Sequence, residues 1–353
     1  MTSVASLLRF AVQQKASDLH LSAGEPPMLR VHGDMFRVDG PALSSEDAHR
    51  MIFDIMNDGQ RRTFQDKLEC DFAFALDDEL RFRVNVFVHN RGEAAVFRTI
   101  PSKVPRLDEL GLPQVIRHLC DEEKGLVLVT GPTGSGKSTT LAAMIDYLND
   151  TMPGHILTLE DPIEFVHKPK RALVNQREVG SQTHTFSAAL RSALREDPDV
   201  ILVGELRDLE TTQLALTAAE TGHLVFATVH TSSAARTVDR LVDIFPPAQQ
   251  TQVRTMLSES LLGVITQMLL HKAAGGRAAA LEILLGTPAV RNLIREAKTH
   301  QIPSAMQVGG RVGMQTMEAA VSQLVNRGVV TLDEVRTRMP DTAAALERQA
   351  AAS

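Results

Sequence analysis

The run Leu126-Val-Leu-Val-Thr-Gly-Pro-Thr-Gly-Ser-Gly-Lys137-Ser138-Thr-Thr-Leu-Ala-Ala-Met144 constrains this chain more than any other stretch. Apolar and β-branched residues lead straight into Gly131, Pro132, Thr133, Gly134, Ser135, Gly136, Lys137 and Ser138, which fit G-x-x-x-x-G-K-[ST]. An alanine- and leucine-rich helical pattern follows from Thr139. The order strand, glycine loop, helix is the context that gives the motif its meaning. Glycines let backbone N–H groups turn inward onto phosphate oxygens, and the helix adds its positive N-terminal end. Lys137 then reaches the β- and γ-phosphates of a nucleotide such as ATP, and the Ser138 hydroxyl is a ligand for Mg2+.

From Leu112 onward, strand patterns alternate with helix patterns, the signature of an α/β fold with a parallel sheet covered on both faces. Strands are expected at 126–130, 155–159, 200–203 and 224–229, with helices near 138–149, 186–196 and 209–220. Open sheets of this kind bind ligands at the carboxyl ends of their strands, so the residues following each strand become candidates. Glu160-Asp161-Pro162-Ile163-Glu164 follows the second strand, Gly204-Glu205-Leu206-Arg207-Asp208 the third, and His230-Thr231 the fourth. Glu205 is the favoured base for orienting a water. Gly204 stands where a strand-end Asp is usual in phosphate-loop proteins, which leaves Asp161, Glu164 and Glu205 as candidates to hold magnesium through water. His230 is placed to sense or stabilise a γ-phosphate. His223 begins the strand that His230 ends, which favours a structural role at the opposite edge. Arg191, Arg195 and Arg207 are available for phosphoryl-transfer charge, helix salt bridges or subunit contacts.

Residues 1–100 read as a smaller α+β domain: a helix from Val4 to Gln14, short strands at Asp18–Leu21 and Met28–His32, and a helix from Ser45 to Met56. An antiparallel meander over 71–76, 80–88 and 93–98 completes it. Arg81, Arg83 and Asn85 share the polar face of the middle strand, either solvated or facing a partner. A proline-bounded linker, Ile100 to Pro105, is a plausible hinge, and the interdomain segment as a whole is taken as 101–113. The core domain is expected over 114–270 and a mainly helical region over 271–353. Within these, apolar spacing predicts a helix from Gln252 to Leu270, Ala278–Leu285 reads as a strand, Ala289–Glu296 as an amphipathic helix, and Ala343–Ser353 as a frayed tail.

Composition removes several classes of function. The formal charge is −6, and only one Tyr and no Trp are present among the 353 residues. Coating nucleic acid requires clustered cations, and stacking on single strands requires aromatic surface, so no nucleic-acid partner is expected. The two cysteines, Cys70 and Cys120, form neither a C-x-x-C pair nor a disulfide framework, which suits a reducing cytoplasm. No apolar run approaches the ~18 residues of a membrane span, so direct membrane insertion is not expected.

These residues together resemble the secretion ATPase superfamily, and within it the type IV pilus retraction ATPases. The likeness rests on Ser17-Asp-Leu-His-Leu-Ser22, the loop 131–138, the acidic box 160–164, Leu194-Arg-Glu-Asp-Pro-Asp199 leading to Gly204 and Glu205, Thr221-Gly-His-Leu224 leading to His230, and Ala289-Val-Arg-Asn-Leu-Ile-Arg-Glu296. The last segment turns an ordinary surface helix into a candidate functional element. The resemblance implies a PAS-like N-terminal domain, a RecA-like ATPase core and a homo-hexameric ring. It implies a cytoplasmic location, peripheral at the inner membrane through the pilus machine, with an inner-membrane platform protein and a paralogous retraction ATPase as partners. It also implies Glu205 as catalytic base, Glu164 as a second catalytic carboxylate, Asp161 beside it, His230 and His223 as a histidine pair, and Arg81 and Arg98 reaching the nucleotide across the interdomain cleft. Substituting Arg291 and Arg295 is then expected to stop retraction while leaving hydrolysis largely intact. An accessory pilus or secretion ATPase and a nucleotide-gated scaffold ring are the alternatives.

Overall fold

A computed structural model describes residues 3–31, 33–77, 80–100 and 103–352. Pro101 and Ser102 of the expected linker, His32 at the end of an expected strand, and Ser353 lie outside the described residues.

The chain divides into two compact units, residues 1–103 with 162–166, and residues 104–161 with 167–353. The first contains α1 (Val4–Gln13), β1 (Asp18–Ser22), β2 (Met28–Val31), β3 (Asp34–Arg37), α2 (Ser45–Phe53), α3 (Asp58–Lys67), β4 (Glu69–Ala75), β5 (Arg81–His89) and β6 (Gly92–Ile100). Its strands form one antiparallel sheet in the order β3-β2-β1-β6-β5-β4. Alternation along β5 buries Phe82, Val84 and Val86 with Leu8, Ile52 and Phe64 from the helices, so α1, α2 and α3 cover one face of the sheet. The other face carries polar Arg83, Asn85 and Arg98 together with Phe87, Val96, Met28 and Met35. This is the small PAS-like α+β arrangement.

The second unit begins with α4 (Val115–Cys120), β7 (Gly125–Thr130), α5 (Lys137–Thr151), β8 (His155–Glu160), β9 (Leu173–Glu178), α6 (Phe186–Ala193), β10 (Val200–Val203), α7 (Leu209–Glu220) and β11 (Leu224–Val229). It continues with α8 (Ala234–Asp243), α9 (Pro247–Ser260), β12 (Leu261–His271), β13 (Arg277–Leu285), α10 (Pro288–Arg295), α11 (Ile302–Val308), α12 (Met317–Asn326), α13 (Leu332–Arg338) and α14 (Pro340–Ala352). Seven strands run in the order β13-β12-β7-β11-β10-β8-β9, parallel except for the edge strand β13. Leu126 and Leu128 of β7 face α6 to α9, whereas Val127 and Val129 face α4 and α5. Helices therefore cover both faces, and the strand interiors can be apolar throughout. This is the RecA-like α/β core.

Two expectations are corrected. The helix expected over 252–270 ends at Ser260, and residues from Leu261 onward form β12, inserted parallel to β7. A strand buried on both faces is nearly all apolar, so its spacing matches a buried helix equally well. β-branched Val264, Ile265 and Thr266 favour the extended form. The resulting β12–β13 hairpin crosses residue 270 and belongs to the same sheet as the phosphate loop. The tail expected to fray is instead the helix α14, with Pro340 at its first position and Ala343 buried beside Val321 and Val335. Ala, Leu, Glu and Gln are strong helix formers, and proline suits a helix start.

Candidate active site

Gly131, Gly134 and Gly136 all adopt positive φ, at 139°, 78° and 90°, so the loop between β7 and α5 takes a shape that L side chains resist. Gly136 is the N-cap of α5 and supplies no side-chain cap. The first N–H groups of α5 are thus left without the side-chain acceptor that Thr185, Asp208 and Ser233 give α6, α7 and α8. An anion is the natural partner for such a helix end. Ser138 and Thr139, both half-buried, stand in the first turn.

Lys137 is 8 % exposed, and its Nζ donates to the carbonyls of Gly131 at 2.9 Å and Pro132 at 3.1 Å. It also lies 3.4 Å from Nδ1 of His230, the residue after β11. An ammonium only donates, so these contacts assign His230 as the Nε2–H tautomer, with its Nδ1 lone pair toward Lys137. Nε2 then faces Glu205 Oε1 at 3.3 Å, and Arg207 binds the other carboxylate oxygen at 2.7 Å. The hydrogen bond to Glu205, that carboxylate's charge and the more distant charge of Asp161 raise the Arg207 pKa above its ordinary value. Adjacent parallel strands β11 and β10 bring these groups together: Val203 pairs with Ala227, so their following residues emerge side by side. The structure therefore brings together Lys137, His230, Glu205, Arg207 and, through its charge, exposed Asp161.

Gly204 has a steric reason to lack a side chain. Its N–H donates to Leu159 O at 2.7 Å, Thr228 Oγ1 donates to its carbonyl at 2.5 Å, and a Cβ would lie 3.1 Å from Leu159 O. Among the described residues no group of three or more His, Cys, Asp or Glu side chains is arranged to hold a metal ion.

The remaining candidates lie elsewhere. His223 precedes β11, its ring Nδ1 3.0 Å from Ala218 O, and six strand residues, about 20 Å of chain, separate it from His230. Glu164 is exposed and belongs to the N-terminal unit, as do Arg81 and Arg98. Arg98 pairs with Asp18 at 2.9 Å, while Arg81 Nε is buried without a hydrogen-bond partner among the described residues. Arg83 and Arg98 are register partners across β5 and β6, and Arg83 has a carboxylate of its own in Asp71 at 3.9 Å. Arg191 makes a salt bridge to Glu210 between α6 and α7, and Arg195 donates to Arg191 O.

Sequence reading missed the contribution of β12. Thr266 Oγ1 and Thr130 Oγ1 share a hydrogen bond of 2.9 Å, and Gln267 accepts from Thr140 Oγ1 at 2.7 Å. A usable signal exists: Thr130, Thr158 and Thr228 each stand near the carboxyl end of an apolar strand, and Thr266 interrupts an apolar run in the middle of β12, opposite Thr130.

The type II/IV secretion system protein family matches residues 2–337. A type IV pilus retraction ATPase, PilT, of Pseudomonas aeruginosa is 60% identical over 335 residues, covering 95% of this chain and 97% of that protein. A twitching motility protein of Neisseria gonorrhoeae is 56% identical over 337 residues, covering 95% of this chain and 90% of that protein. Among solved structures, the pilus retraction motor PilT with bound ADP superposes with a TM-score of 0.91 at 48% identity, covering 97% of this chain and 98% of that one.

Proposed function

The chain belongs to the type II/IV secretion system protein family, and from that membership we propose that it is the motor ATPase of type IV pilus retraction, with hydrolysis at the 131–138 loop supplying the work. One observation carries the proposal: Lys137, His230 and Glu205 form a continuous chain of contacts from the phosphate loop to a carboxylate.

In this reading Glu205 orients the water that attacks the γ-phosphorus, the bond to the β-phosphate oxygen breaks, and ADP departs. Lys137 gives the γ-phosphate the donors it now spends on Gly131 and Pro132 carbonyls. That exchange alters its contact with His230 and thereby the seat of Glu205, so His230 reports γ-phosphate to the base. Magnesium suits the donors available: the Ser138 hydroxyl, phosphate oxygens, and Asp161 or Glu205 through water, since a small hard cation keeps several waters. When bound it would neutralise charge on the β- and γ-phosphates.

The arginine-bearing face of the N-terminal unit, with Arg81, Arg83 and Arg98, supports the expectation that Arg81 and Arg98 meet a nucleotide, because guanidiniums gathered on one sheet face suit a phosphate. Glu164 is proposed as the second carboxylate. His223 has local structural support only, and a catalytic part for it would require contact beyond its own strand end. A six-subunit ring, an inner-membrane platform partner, a paralogous ATPase and a place at the cytoplasmic face of the inner membrane are the remaining elements. No helix among the described residues is long and apolar enough to cross a membrane.

The test measures ATP turnover against protein concentration together with mass by light scattering, in wild type, Lys137→Ala and Glu205→Gln. Turnover should rise as a six-subunit mass forms. Glu205→Gln should keep ADP binding and ring mass while turnover falls by about 10²–10⁴-fold. Nucleotide binding without turnover at any assembly state would favour the scaffold ring instead.

A further inference from the structure

The loop 131–138 is braced from outside by a strand that the phosphate-loop motif does not include. β12 runs parallel to β7, with Ile265 beside Val129 and Thr266 beside Thr130. Gln267, the next residue, therefore passes alongside the loop where β7 ends. It is 3% exposed, and its Oε1 accepts a hydrogen bond of 2.7 Å from Thr140, itself 1% exposed in the first turn of α5. Both glycines that the motif fixes face this one residue. A Cβ on Gly131 would lie 2.4 Å from the Gln267 carbonyl oxygen, and a Cβ on Gly136 would lie 2.7 Å from Gln267 Nε2.

We infer that Gln267 is a positioning residue for nucleotide binding: it sets the spacing between β7 and the start of α5 so that the loop's N–H groups converge on phosphate. The inference rests on the loop's being the ATP site. The physical reason is preorganisation. A loop of positive-φ glycines has many competing shapes, and ordering it upon binding would subtract from affinity. Gln267 restricts those shapes from both ends, by its main chain at Gly131 and by its amide at Gly136, and its hydrogen bond ties in α5. Its loss therefore weakens nucleotide binding more than the chemical step, because its side-chain hydrogen bond goes to Thr140, whereas Glu205 is held by His230 and Arg207.

The experiment uses the full-length protein and compares wild type with Gln267→Met, Gln267→Glu, Thr140→Val, the Thr140→Val/Gln267→Met double variant and Lys137→Ala. It reads equilibrium ADP binding, KM and kcat for ATP, and the melting midpoint. Gln267→Met keeps length but removes the acceptor, and should raise KM and the ADP Kd about 5- to 30-fold with kcat within about threefold of wild type. The double variant should be no worse than Gln267→Met, since both remove one interaction. ADP affinity of Gln267→Met within about twofold of wild type would overturn the inference, as would a lowered kcat at unchanged KM. If Gln267→Met fails to fold, Gln267→Glu decides: it keeps size and acceptor but brings negative charge to the phosphates, so unchanged ADP affinity would refute the placement. Lys137→Ala separates the two readings. Loss of ADP binding there with no loss in the Gln267 variants refutes only the role of Gln267, whereas retained binding in Lys137→Ala refutes the loop as the nucleotide site.

Discussion

Arg291 and Arg295 share the helix α10 whose sequence suggested a retraction element, yet the structure separates their roles. Arg291 Nε donates to Gly286 O at 2.6 Å, Nη1 to Glu259 O at 3.0 Å, and Nη2 reaches Leu261 O at 3.5 Å. Those carbonyls belong to the end of α9, the start of β12 and the turn after β13. One guanidinium thus closes a helix C-terminus and pins both ends of the hairpin that carries Gln267. Arg295 is exposed on the same helix. Hydrogen bonds from a charged group contribute about 1.5–3 kcal/mol each, with less for the long third contact and for partial exposure. Arg291→Ala should therefore cost about 2–4 kcal/mol in the unfolding of the C-terminal unit. Arg295→Ala should stay within about 0.5 kcal/mol of wild type. The assay is denaturant unfolding of both variants at pH 7.5, with ATP turnover on the same preparations. Arg291→Lys, which keeps the charge but loses the planar fork, should recover at most half of the loss. Equal midpoints for Arg291→Ala and Arg295→Ala would refute the reasoning. The expectation that both substitutions spare hydrolysis is accordingly kept for Arg295 alone.

Two further predictions concern the core. His167 is buried, its Nδ1 lacks a hydrogen-bond partner among the described residues, and desolvation lowers its pKa from 6.5 to about 4. The unfolded chain therefore binds the proton first: the stability is fully present above pH 6.5 and is lost as pH falls toward 4, amounting to about 3 kcal/mol. His167→Asn should flatten that acid limb in denaturant titrations between pH 7.5 and 4.5, and parallel limbs would contradict the burial argument. At Gly204, a Cβ meets backbone at 3.1 Å where two hydrogen bonds hold the strand end, so Gly204→Ala should lower stability by about 1–2 kcal/mol. Gly204→Asp should not raise turnover despite restoring a strand-end acid; faster hydrolysis would show that the site lacks a metal ligand rather than space.

The carboxyl-edge rule allowed Glu205 and His230 to be placed together from sequence, because the direction of each strand fixes which flanking residues emerge at one edge. The same rule set His223 at the other edge, where the structure has it. Helices such as α5 and α7 were readable because alternation with strands and good helix formers agreed locally. β12 was not readable: an apolar run with both faces buried has no amphipathic period, and only its insertion beside β7 decides between strand and helix. α14 escaped for the related reason that its helix propensity was plain but its packing partners, Val321 and Val335, lie on other helices.

What the sequence determined by itself was the set of candidates: a glycine loop with Lys137 and Ser138 of the kind that suits phosphate, and acids and an imidazole at the strand ends. Tertiary structure alone decided which residues hold those candidates in place. Gln267 reaches the loop, and Arg291 reaches α9, through parallel pairing and chain reversal across more than a hundred and about thirty residues of sequence respectively. Local periodicity carries no record of such separations, since the contacts arise only when the sheet orders its strands.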